Sequence, residues 1–72
     1  GRSFDCHGNE KLTSLKGAPE FVGGNFFCNG TAITSLVGCP KEVRGDFVCD
    51  SVFTEEEIRS VCNVKGSVII MS

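Results

Sequence analysis

Residues 4–25 read FDCHGNEKLTSLKGAPEFVGGN, and residues 26–46 read FFCNGTAITSLVGCPKEVRGD. Laid over each other, Phe4 falls on Phe26, Cys6 on Cys28 and Leu12 on Ile33, and Thr13-Ser14-Leu15 falls on Thr34-Ser35-Leu36. Gly17, Pro19, Val22 and Gly24 fall on Gly38, Pro40, Val43 and Gly45. A third unit opens as FVCDS at Phe47, so the period is 22 residues and then 21. The extra residue lies between Cys6 and Leu12, where a loop absorbs it. A fixed period of this length marks a repeat architecture, whose units lack a core of their own and bury apolar rows against their neighbours.

Each unit carries its own geometry. Phe26 and Cys28 alternate with Phe27, and Phe47 and Cys49 alternate with Val48. Alternation at period two describes a strand with one buried face. Val22 and Val43 precede their phenylalanines by four residues and share that face. Leu12 and Leu15, like Ile33 and Leu36, are three apart, which suits a short extended piece or tight turn with two inward side chains. Gly17-Ala18-Pro19 and Gly38-Cys39-Pro40 then break the chain, since glycine permits positive φ and proline fixes φ. The expected unit is one strand, a polar turn, a second inward-pointing stretch and a corner. Stacked units give a mainly β solenoid with parallel strands.

The string FxCxxNxxLTSLxGxPxxV resembles the leucine-rich repeat, with Phe4, Cys6 and Asn9, then Phe26, Cys28 and Thr31, in the places of its strand leucines and asparagine. The short period and the LTSL element resemble the bacterial-effector type, and the LTSLxGxP spacing resembles repeats of small tailed-phage proteins. The resemblance covers residues 4–53. Phenylalanine and cysteine stand where leucine is usual, glycine stands at the first post-strand proline, and the repeats are few. The resemblance implies a binding protein, and its phage side implies a bacterial host protein as target, met in the host cytoplasm.

A different grammar starts at Phe53. Thr54-Glu55-Glu56-Glu57 forms a capping box, with Phe53 and Ile58 as a hydrophobic staple and three glutamates suited to the helix dipole. Ile58, Val61 and Cys62 are expected to make one apolar stripe on a helix of about two turns. Residues 64–71 read as a strand with a turn or bulge at Gly66. The whole chain, residues 1–72, is therefore expected to be one domain, with repeats at 4–25 and 26–46, a partial repeat at 47–53, and a helix-strand cap at 53–72 that adds an α/β element. The N-terminal end begins in mid-repeat, so its edge strand is a candidate for pairing with another copy.

Composition narrows the function classes. With 72 residues, the core of this domain is small. The formal net charge of −2 gives no basic footprint for phosphate, so no nucleic-acid partner is expected. The longest apolar run, around Val68-Ile69-Ile70-Met71, is too short to span a membrane. Gly1-Arg2-Ser3 is not followed by the apolar stretch of a signal peptide. An odd number of cysteines, five, favours a reducing cytoplasm over a paired secreted framework.

Candidate chemistry is sparse. Cys6, Cys28 and Cys49 form an inward column, read as small buried thiols. A strand spacing of about 4.8 Å also leaves a disulfide between units open. Without a CxxC or His/Cys pairs at finger spacing, zinc has little support. Cys39, at a corner, is the cysteine expected to be most accessible, and Cys62 is assigned to the core. His7 beside Cys6 makes no catalytic pair, because neighbours on a strand face opposite sides. No cofactor or metal is expected.

The outward strand face remains: Asp5 and His7, then Asn25, Phe27 and Asn29, then Asp46, Val48 and Asp50. An aromatic among polar and acidic groups resembles a binding hot spot with a rim, suited to a basic protein partner. The expected function is a non-enzymatic protein-interaction module. Alternatives are a structural protein that self-assembles into homo-oligomers, and an enzyme or metalloprotein built on the cysteines.

Overall fold

The computed structural model describes residues 3–71. Gly1, Arg2 and Ser72 lie outside the described residues, and with them the reading of the N-terminal tripeptide and the last position of the cap. The first unit contributes β1 (Phe4–Asp5) and β2 (Phe21–Val22), and the second β3 (Phe26–Phe27) and β4 (Glu42–Val43). The third contributes β5 (Phe47–Asp50), the helix α1 (Glu55–Val61) and β6 (Asn63–Val64), and β7 (Val68–Met71) follows. One sheet has the order β1-β3-β5-β7 and the other β2-β4-β6. Every pairing is parallel, so the protein is mainly strands in parallel sheets with one short helix.

The registers follow the sequence period. Phe4, Phe26, Phe47 and Val68 pair in one row, and Asp5, Phe27, Val48 and Ile69 in the next. In the second sheet Val22, Val43 and Val64 align. Inward rows become the core. Phe26 and Phe47 expose 0% of their surface, and their ring centroids lie 4.9 Å apart. Phe4 stacks on Phe26 at 5.4 Å, but as a member of the outermost strand it stays half-buried, like Cys6 and Leu12. Leu15, Ile33 and Ile58 fill the space between the sheets.

A side-chain ladder reinforces the first sheet. Ser3 Oγ accepts from Asn25 N–H at 3.0 Å, Asn25 Oδ1 from Asp46 N–H at 2.9 Å, and Asp46 Oδ1 from Ser67 N–H at 2.9 Å. Just before these residues the units approach so closely that only glycine fits. A Cβ at Gly45 would stand 2.8 Å from the Gly24 carbonyl oxygen, and one at Gly66 would stand 2.7 Å from that of Gly45.

Two features differ from the sequence reading. Val22 and Val43, expected on the buried face of the phenylalanine strands, instead lie on a second strand in each unit and align in a separate sheet, because two-residue strands are too short to show alternation. The pairing also continues past Phe53. Asn63-Val64 pairs with Glu42-Val43, and Val68 through Met71 pairs with Phe47 through Asp50. The segment from Phe53, expected to be a helix-strand cap, holds α1, β6 and β7 and adds one strand to each sheet. Of the turn or bulge expected at Gly66, the structure has the turn: the residue lies in the bend between β6 and β7.

The helix forms as its capping residues require. Thr54 Oγ1 accepts from Glu57 N–H at 3.2 Å, and Glu57 Oε1 accepts from Thr54 N–H at 3.1 Å. Phe53 and Ile58 are both buried beneath it, and Cys62 is buried at its C-cap. Val61 is not part of the apolar stripe: it is 51% exposed. With seven residues in α1 the buried face is narrow, and Ile58 is its one buried residue. Arg59 ties the helix down, donating to Glu55 Oε2 at 2.8 Å and to the carbonyl oxygens of Val64 at 3.0 Å and Gly66 at 3.2 Å.

Candidate functional site: the outer face of the four-stranded sheet

With Phe26, Cys28, Phe47 and Cys49 turned into the core, strand alternation sends Asp5, Phe27, Val48 and Ile69 to the opposite face. That face holds an open hollow of about 430 Å³ lined by Asp5, His7, Phe27, Asn29, Val48, Ile69 and Met71. Five of the eight residues singled out in the sequence are therefore brought together. Val48, only 7% exposed, forms part of the floor between Phe27 and Ile69.

The other three lie outside the hollow. Asn25 and Asp46 are half-buried, and each gives its Oδ1 to the ladder between units. Asp50 turns back along the sheet, and both of its oxygens accept from Gly30 N–H, at 3.0 and 2.8 Å. Their side chains join neighbouring units. Two lining residues, Ile69 and Met71, were missed. The signal was present: NVKGSVII aligns with EVRGDFVC, but valine and isoleucine replace the marker phenylalanine and cysteine.

The hollow is electrically lopsided. At its first-unit end, His7 N–H donates to Asp5 Oδ1 at 3.0 Å, and His7 Nδ1 contacts the same oxygen. The side-chain hydrogen bond first, and then the backbone one, hold the Asp5 carboxyl below its ordinary value. The carboxylate is therefore ionised at neutral pH, with Oδ2 turned to no hydrogen-bond partner among the described residues. The His7 ring stands edge-on to Phe27, with centroids 6.4 Å apart. Among the described residues no lysine or arginine lines the hollow. At the far end Ile69 and Met71 are exposed and apolar.

The cysteine column faces the other way. Cys6 Sγ donates to Phe27 O and Cys28 Sγ to Val48 O, each at 3.3 Å. Burial pushes the Cys6, Cys28 and Cys39 thiols up, and raises those of Cys49 and Cys62 to about 11. A thiolate nucleophile is disfavoured at each position. Cys39 is half-buried at its corner, and Cys6, just past the outermost strand, is half-buried too, so Cys39 does not stand apart. Among the described residues no group of three or more His, Cys, Asp or Glu side chains is placed to hold a metal ion, and no helix is long and apolar enough to cross a membrane.

No protein-family model matches the chain, and no curated protein or solved structure is significantly similar to it.

Proposed function

We propose that this chain is a short leucine-rich-repeat solenoid that serves as a non-enzymatic protein-interaction module, and that it binds through the outer face of its four-stranded sheet. The observation that carries this reading is the hollow on that face, where a half-buried Phe27 sits between an ionised Asp5 and an aliphatic floor. In repeat proteins the strand face turned away from the core is an extended binding surface. The likeness of the repeats to those of small tailed-phage proteins directs the proposal to a bacterial host protein, met in the host cytoplasm. The non-enzymatic part is supported by the Asp5–His7 pair, which faces away from the neighbouring Cys6, and by thiols held protonated in the core.

The test is affinity capture from bacterial lysate with the wild-type chain and with Phe27→Ala. The expected result is a protein held by the wild type and lost with the variant, corresponding to a weakening of about 2 kcal/mol or more, on the scale of a hot spot. Unchanged melting of the variant would show that the loss is not unfolding. A partner retained undiminished by folded Phe27→Ala would move recognition to another surface.

A further inference from the structure

The row Asp5, Phe27, Val48, Ile69 passes from anion to aromatic to aliphatic across four adjacent strands. Parallel strands lie about 4.8 Å apart, which puts Asp5 about 10 Å from Val48 and about 14 Å from Ile69. An extended chain rises about 3.3 Å per residue, and its same-side residues are two apart. Residues i and i+2 on such a chain are about 7 Å apart and residues i and i+4 about 13 Å, so either spacing can reach both ends, the shorter with a long side chain.

From this asymmetry we infer that the hollow selects an extended segment of a partner protein that places a lysine or arginine at Asp5 and, two or four residues away, an aliphatic or aromatic side chain over Val48 and Ile69. The inference rests on the outer face being the recognition surface, and it names the chemistry that face selects. Both His7 contacts reach Asp5 through Oδ1, so Oδ2 is the atom presented to a cation. A charge-assisted hydrogen bond there is stronger than one between neutral groups. The ring of Phe27, between the two ends, can take the methylene stem of a lysine or the face of a guanidinium. Ile69 and Met71 lose exposed apolar surface when an apolar side chain covers them. Acidic segments are disfavoured, since among the described residues no lysine or arginine lines the hollow beside Asp5.

The experiment is selection of a displayed random-peptide library on the immobilised full chain, followed by affinity measurement of the enriched peptides made synthetically. The expected peptides carry Lys or Arg two or four positions from Leu, Ile, Met or Phe. Their binding falls about tenfold with Asp5→Asn and about tenfold with Ile69→Ser, is lost with Phe27→Ala, and weakens as salt is raised. Circular dichroism melting confirms that each variant is folded. Peptides that need Phe27 but lack a basic residue, or that bind Asp5→Asn undiminished, would overturn this inference and leave the outer-face reading standing. Enriched peptides indifferent to Phe27→Ala, or no enrichment at all, would overturn both.

Discussion

Residues 33–40 and residues 54–62 do the same job in different ways. Both carry the chain from the four-stranded sheet across to the three-stranded one. In the second unit this is an extended segment with Ile33 and Leu36 turned inward and a glycine-proline corner. In the third it is α1, with Ile58 as its anchor. The strands on either side keep their register through the exchange: Val43 meets Val64 and Phe47 meets Val68. The connection is thus replaceable, while the inward rows and the glycine contacts of the ladder are not. A short segment that cannot order itself relies on its neighbours, whereas a helix with a capping box supplies its own end hydrogen bonds and needs one buried side chain to dock.

The two connections differ most at their anchors. Ile58 is fully buried and alone on its helix face, so Ile58→Ala is expected to cost about 2–5 kcal/mol in chemical denaturation. Leu36→Ala, at a half-buried position on the extended connection, should cost less. Equal costs would mean that the two connections share the load in the same way.

The corners of the first two units differ as well. Gly17 and Gly38 both have φ of +90°, yet a Cβ at Gly17 would meet open space while one at Gly38 would lie 2.7 Å from Lys16 N. Gly17→Ala is expected to cost about 1–2 kcal/mol from the left-handed backbone alone. Gly38→Ala should cost clearly more, because the first unit's backbone must move. Indistinguishable melting temperatures for the two variants would contradict the close stacking.

A pH series probes one thiol from each region, Cys49 in the ladder and Cys62 at the helix end. Both are raised to about 11 by burial, from an ordinary value of 9.0. Above pH 9 the unfolded chain releases these protons while the folded chain keeps them, so the unfolded state binds fewer protons and stability falls as pH rises. The expected loss is about 2 kcal/mol for each of the two thiols between pH 8 and 11, measured by urea denaturation under reducing conditions. Cys49→Ala and Cys62→Ala should each flatten the slope. An unchanged slope in both would mean that other groups cause it.

Smallest is the cap itself. Thr54→Ala is expected to cost about 1 kcal/mol. Val61→Ser, at an exposed position, should stay within about 0.5 kcal/mol.

The repeat was legible because its markers are chemically loud: phenylalanine and cysteine at period two, then glycine and proline at fixed offsets. The helix was legible from its capping box, although Val61 shows that helical spacing alone does not bury a side chain when few helix residues reach the core. A strand was expected over residues 64–71, but its place beside β5 was not. Valine and isoleucine replace the markers there, and the helix interrupts the pattern between them. At the candidate site, parity along the strands separated Phe27 from Phe26. It could not foresee that Asn25, Asp46 and Asp50 would turn along the sheet to bond neighbouring backbone, since parity gives a side chain's face and not its partner.

Strand parity puts Phe26 in the core and Phe27 on the outer face, and two single substitutions measured side by side test it. Phe26→Ala removes a ring with no exposed surface, and it is expected to cost about 3–5 kcal/mol, enough to abolish cooperative unfolding in a domain of this size. Phe27→Ala removes the ring that forms part of the hollow's lining on the outer face, and it should cost about 1 kcal/mol or less with melting still cooperative. Equal losses, or a larger loss for Phe27→Ala, would contradict the register and with it the candidate site.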